Sequence, residues 1–151
     1  MKLASKDIVA GGRIPRMFTC EGEDVSPELN WSDAPQETLS FVVLCEDPDA
    51  PSGIWRHWAA YDIPAGTTSL PRGAGRADAG ALEQGVNDFG RRGWGGPCPP
   101  RGRGAHRYRF RLLALSTAHV RVRADARCLD IEKEALKHRI AEADLVASFE
   151  R

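Results

Sequence analysis

Two short stretches of this chain concentrate side chains that can do chemistry. Asp47-Pro48-Asp49-Ala50-Pro51 is followed closely by His57-Trp58, and Gly95-Gly96-Pro97-Cys98-Pro99-Pro100 is followed by Gly104-Ala105-His106-Arg107-Tyr108. Two carboxylates, two imidazoles and a phenol, brought together, offer donors and acceptors for a small polar or anionic ligand. Gly95 and Gly96 would let a backbone N–H approach an anion closely, where a Cβ would obstruct it. No Ser or Cys nucleophile stands beside a plausible base, and no H-x-x-x-H spacing marks a metal site, although an Asp, His, His set has suitable atoms for one. Binding is therefore expected ahead of Asp/His hydrolysis, with no cofactor. Singly, either histidine reads as a hydrogen-bonded structural residue and either aspartate as a turn former. One of the two aspartates is expected to be mainly structural; which one stays open.

The elements that must position these residues read mostly as strands. Leu39 to Glu46 is an apolar, β-branched run stopped by Asp47-Pro48, the pattern of a central strand. Ile54 to Ile63 alternates, which puts Trp55, His57, Ala59, Tyr61 and Ile63 on one face. Residues 66–104 hold most of the 15 glycines and read as a long loop region, the natural place for a site, with Val86 to Gly96 its better ordered part. Ala105 to Leu115 alternates again, so that His106, Tyr108, Phe110, Leu112 and Ala114 share a face. Arg107, Arg109 and Arg111 share the other, read as a solvated face rather than a nucleic-acid patch. Asp130 is a candidate N-cap for a helix over Ile131 to Arg139, and the spacing of Ala141, Ala143, Leu145, Ala147 and Phe149 predicts a final strand.

Length and composition bound the answer. A chain of 151 residues is expected to form one domain over 1–151 with a core large enough to fold without disulfides or metal. With 21 basic and 21 acidic residues it lacks the surplus of positive charge that a nucleic-acid binder uses. No apolar run is long enough to span a membrane and the N-terminus has no apolar signal core, so a soluble, cytoplasmic protein is expected. Cysteines at 20, 45, 98 and 128 form no close pairs; reduced thiols are the default, with a Cys20–Cys98 or other bridge left open.

Taken together the motifs resemble the phosphatidylethanolamine-binding protein (PEBP) family, most closely its bacterial and archaeal branch of Raf kinase inhibitor-like proteins. The resemblance runs from Phe18-Thr19-Cys20-Glu21-Gly22 and Ser26-Pro27-Glu28-Leu29-Asn30-Trp31 through both stretches and Asn87-Asp88-Phe89-Gly90 to the final alternating segment. It implies a mainly β fold, a large central sheet packed on a smaller one with one or two short helices. It also implies an anion pocket formed by Asp47, Asp49, His57, the Gly96-Pro97 backbone, Pro100, His106 and Tyr108, accepting phosphate-like or carboxylate-like groups. A histidine beside an aspartate can keep its proton above the free value, so binding is expected to weaken as pH rises. The family also implies a homodimer, and a second role, inhibition of a protein kinase or protease through the pocket and its loops. This chain departs from the common pattern at Gly22-Glu23-Asp24-Val25-Ser26-Pro27, where many relatives have a Gly and Asn before Ser-Pro, and at Trp94, where Tyr is usual. Cys98 between two prolines fits the bacterial branch. The C-terminal helix that borders the pocket in eukaryotic members has no counterpart, which implies a more open mouth.

Overall fold

The apolar run at 40–47 is buried at every position, and the chain builds its main sheet around it. A computed structural model describes every residue except Ala79 and Ala81. The strands are β1 (Lys2–Ala4), β2 (Leu29–Ser32), β3 (Ser40–Asp47), β4 (Trp55–Pro64), β5 (Ser69–Leu70), β6 (Glu83–Gln84), β7 (His106–Leu115) and β8 (Arg139–Phe149). Helix α1 (Cys128–Leu136) precedes β8, and a 3₁₀ turn spans Arg16–Phe18. Five strands form an antiparallel sheet in the order β6-β4-β3-β7-β8, and β1-β2-β5 form a smaller one.

Alternation in β3 and β7 divides the core in two. Phe41, Val43 and Cys45 join Tyr108, Phe110 and Leu112 on the face covered by the small sheet, against Leu3, Leu29, Trp31 and Leu70. Val42, Leu44, Leu113 and Leu115 face the other way, against Cys128, Ile131 and Ala135 of α1. The final strand alternates as expected, with Leu145, Ala147 and Phe149 on the small-sheet side.

Strand β4 does not keep the single alternation expected for Ile54 to Ile63. Its register with β3 shifts twice, once where Cys45 pairs Trp58 but Glu46 pairs Arg56, and once where Phe41 pairs Ile63 but Val43 pairs Ala60. Each bulge inserts one residue, and one residue reverses which face the following side chains meet. Trp58, Ala60 and Ile63 therefore join the small-sheet core, while Ala59 and Tyr61 turn toward the helix. Asp62, at the second bulge, has φ of 55°.

The arginine stripe is likewise not simply solvated. Arg111 is only 8% exposed. Its guanidinium lies 2.6 Å from Glu132, 3.2 Å from Glu46 and 3.1 Å from Glu142. Arg109 pairs with Glu142 and Asp144, and Arg56 with Glu132. The sequence pattern shows the three arginines of β7 but not that α1, β3 and β8 each bring a carboxylate over them.

Helix α1 begins earlier than expected. Asp130 is its third residue rather than its N-cap, and its carboxylate accepts the Arg127 N–H at 3.1 Å, the reciprocal half of a capping box. The helix ends at Leu136, and Arg139 opens β8.

Among the described residues of 66–104, β5 and β6 are the regular structure, and buried side chains tie the segment down. Asn87 accepts the N–H of Phe89 at 3.0 Å and of Arg91 at 3.2 Å, and donates to Gly93 O at 2.9 Å. The default of four reduced thiols is corrected here: Cys20 and Cys98 form a disulfide across 78 residues, their Cα atoms 5.4 Å apart. Sequence distance concealed the pair, because the long loop returns Cys98 to the 16–25 segment. Cys45 and Cys128 are free and buried, and burial pushes both thiols up, that of Cys128 to about 12.

Candidate functional site

The ends of three neighbouring strands meet one loop. Asp47 ends β3, Trp55 and His57 stand at the start of β4, and His106 and Tyr108 at the start of β7. Antiparallel pairing of β3 with both neighbours brings these ends to one edge of the sheet. The Cys98-Pro99-Pro100 segment, the Ala50-Pro51-Ser52 turn and Phe89 close a cavity of about 270 Å3 over them.

Each histidine is held by its Nδ1. His57, 2% exposed, donates to Gly95 O at 2.6 Å. Its ring meets Phe89 and Tyr108 edge-on at centroid distances of 5.4 and 5.3 Å. Burial lowers the His57 pKa, opposed by the Gly95 carbonyl and the Asp47 charge. At neutral pH the ring is therefore uncharged, with its proton on Nδ1 and a lone pair on Nε2. His106 Nδ1 lies 2.7 Å from Asp47 Oδ2, both side chains buried. Among the described residues neither Nε2 has a protein partner, so both are open to a ligand in the cavity.

Tyr108 has no exposed surface in the uncomplexed chain. Burial, reinforced by the Asp47 charge, raises its pKa, so the hydroxyl stays protonated and can donate. The cavity thus joins an apolar wall to a phenol O–H and two imidazole nitrogens, with one carboxylate fixing the second imidazole.

The two aspartates separate cleanly. Asp47 faces inward: Oδ2 meets His106, and Oδ1 accepts the Asp49 N–H at 2.8 Å. Asp49 instead meets Arg107 through its backbone N–H and guanidinium at 2.8 to 3.0 Å and does not line the cavity. The Arg107 guanidinium holds the Asp49 carboxyl down, to about 2. Pro100 lines the wall, whereas Gly96 and Pro97 do not.

The expectation that glycine N–H groups face an anion is also corrected. Gly95 N–H donates to His57 O at 3.1 Å and Gly96 N–H to Asp24 Oδ1 at 2.9 Å. The glycines serve close packing instead: a Cβ on residue 96 would collide with the Asp24 carboxylate and the Phe18 carbonyl. Pro97 O accepts the Cys20 N–H at 3.1 Å, beside the disulfide.

Sequence reasoning about the site missed Trp55, Phe89 and Cys98. Trp55 shares the face of His57 in the alternating pattern, which was the available signal, and among the described residues its buried indole N–H has no hydrogen-bond partner. Phe89 and Cys98 sit in irregular loops, where no periodicity points a side chain inward. Among the described residues no three His, Cys, Asp or Glu side chains are grouped as metal ligands. No helix among them is long and apolar enough to cross a membrane.

Comparison with known proteins agrees with this architecture. The family model described as "Phosphatidylethanolamine-binding protein" matches residues 4–150. A UPF0098 protein of Aquifex aeolicus is 41% identical over 152 residues, covering 100% of this chain and 89% of its own. The UPF0098 protein YbcL of Escherichia coli is 42% identical over 138 residues, 88% of this chain and 75% of its own. The crystal structure of E. coli YbcL, described as a new member of the mammalian PEBP family, superposes with a TM-score of 0.95 at 36% identity, covering 99% of this chain and 98% of that one. The mainly β architecture, a five-stranded sheet with a three-stranded one and a short helix, is thus shared, and the chain belongs to the phosphatidylethanolamine-binding protein family, in its bacterial and archaeal UPF0098 branch.

Proposed function

We propose that the chain is a non-catalytic binding protein whose cavity takes a small anionic group of the phosphate or carboxylate class, carried by a headgroup, a metabolite or a protein side chain. The observation that carries this reading is the pair of histidines pinned by Nδ1, each with Nε2 left for a ligand, beside the Tyr108 hydroxyl. An anion in an otherwise apolar cavity is held strongly only by fixed donors, and here their orientation is set before the ligand arrives. His57 becomes a donor by taking up a proton as the anion enters, which also raises affinity as pH falls.

The test is titration with inorganic phosphate and with phosphoethanolamine, following the ring signals of His57 and His106 by NMR. Saturable shifts in the wild type, lost in the His57→Ala, His106→Ala variant, support the assignment; unmoved signals at millimolar ligand overturn it.

A second reading is inhibition of a partner such as a kinase or protease. The exposed Ile54 and Phe89 beside the cavity favour it, as apolar anchors at the rim of a polar site. A partner captured by the wild type and lost with the double-alanine variant would support it. We further propose that the chain works as a homodimer, which light scattering tests directly.

A further inference from the structure

A second cavity, of about 420 Å3, adjoins the Gly95-Gly96 segment and shares no lining residue with the first. It is bounded by residues 24–26, by 75–77, and by Arg91, Arg92 and Trp94. Both departures of this sequence from the common family pattern, the 22–27 segment and Trp94, fall here.

Three polar groups at its base, two of them buried and Asp24 half-buried, lack full partners among the described residues. Trp94 is 8% exposed and fixed, its ring edge-on to Trp58 and stacked on Phe110. Its indole N–H lies near the Asp24 carboxyl and, among the described residues, has no hydrogen-bond partner. Ser26, 1% exposed, accepts the Gly75 N–H at 2.8 Å, which leaves its own O–H to donate. Asp24 gives one oxygen to Gly96 N–H and keeps the other.

The rim is cationic. Arg76 and Arg91 are exposed and, among the described residues, form no salt bridge; Arg91 lies over the Phe89 ring at 5.7 Å. Arg92 is already held, by Gln84 O at 2.6 Å and Ala124 O at 2.7 Å.

These groups select a ligand class. A hydroxyl accepts from the indole N–H and donates to the Asp24 carboxylate, so it satisfies both in one position. A phosphate or carboxylate suits the two guanidinium groups at the rim. Inorganic phosphate alone would set negative charge against Asp24, and one water, about 30 Å3 in the liquid, would leave most of the cavity and both arginines unused. We propose that this cavity is a second binding site, for a small hydroxyl-bearing anion of the polyol-phosphate class.

Two tryptophans make the sites separately observable, since Trp55 lines the first cavity and Trp94 the second. In ¹⁵N-labelled wild type, with indole signals assigned from Trp55→Phe and Trp94→Phe, glycerol 3-phosphate is expected to move the Trp94 indole N–H saturably. Inorganic phosphate should act on it at least fivefold more weakly. The Arg76→Ala, Arg91→Ala variant should weaken the Trp94 response about fivefold, the effect of losing two solvent-exposed charge contacts, and Arg76→Ala alone should leave the Trp55 response unchanged. The proposal is overturned if millimolar glycerol 3-phosphate leaves the Trp94 signal in place. It is equally overturned if the arginine variant responds like the wild type, or if inorganic phosphate is as effective. None of these outcomes depends on whether the first cavity binds phosphate, which Trp55, His57 and His106 report.

Discussion

Reduction of the Cys20–Cys98 bond is the perturbation with the most calculable effect. The bond closes a loop of 78 residues, and loop-closure entropy at that length corresponds to roughly 4.5 kcal/mol at 25 °C. Measured effects usually fall short of this, because the reduced, unfolded chain keeps some structure, so about 3 kcal/mol is the expected loss. For a chain of this size that lowers Tm by about 6–12 °C. The assay is urea denaturation of the wild type with and without dithiothreitol, alongside Cys20→Ser, Cys98→Ser. Thiol counts provide the control: two thiols should titrate in unreduced, denatured protein, those of Cys45 and Cys128, and four after reduction. Because Cys98 belongs to the cavity wall, anion affinity should fall as well. Re-ordering one wall residue on binding costs about 1–2 kcal/mol, or about tenfold in Kd. Four titrating thiols without reductant would mean that the bond does not form, and a stability loss below about 1 kcal/mol that it does not constrain the unfolded chain. Disulfides persist in oxidising compartments, so the oxidised bond in protein taken directly from cells would also displace the cytoplasmic expectation.

Three further outcomes follow from the geometry. Asp47→Asn keeps the shape but removes the charge facing His106, and should cost roughly 1.5–3 kcal/mol in stability with a tenfold or greater loss of anion affinity; unchanged phosphate titrations would mean that Asp47 does not orient that ring. Burial holds His57 below its unfolded value near 6.5, so the unfolded chain takes up the proton first. Its contribution to stability is complete above about pH 6.5 and declines from there down to the lowered folded value, and affinity for sulfate, which does not itself titrate there, should rise over the same range; a flat profile from pH 7 to 5 in both measurements for wild type against His57→Gln would contradict this. Arg111→Met leaves Glu46 and Glu132 facing each other without their shared cation and should cost about 3–5 kcal/mol in urea denaturation, against well under 1 kcal/mol if the stripe behaved as solvated surface.

The parts of the fold that were legible from sequence are those where one face of one strand decides burial. β3, β7 and β8 stand where apolar runs and alternation put them, whereas the meeting of Asp47, His57, His106 and Tyr108 at one sheet edge was implied by the family resemblance and not by strand pattern alone. What was not legible depends on partners far away in the chain. The Arg111 network needs carboxylates from three other elements, the disulfide needs a loop to return, and the Gly96 N–H is taken by an aspartate 72 residues away. The faces of β4 were misread for a different reason, since nothing in Trp55-Arg56-His57-Trp58 announces an extra residue in the ladder.

That extra residue has an evolutionary consequence. Without the bulge, His57 and Trp58 would project to opposite sides of the sheet; with it, His57 reaches the cavity while Trp58 enters the small-sheet core and donates to Gln84 Oε1 at 2.7 Å. The strand changes phase at this bulge, which separates 55–57 from the 58–63 segment that carries the second bulge. Residues 55–57 can therefore be varied to suit a new ligand while 58–63 go on satisfying the same packing, so selection on specificity need not disturb the folding of the scaffold beneath it.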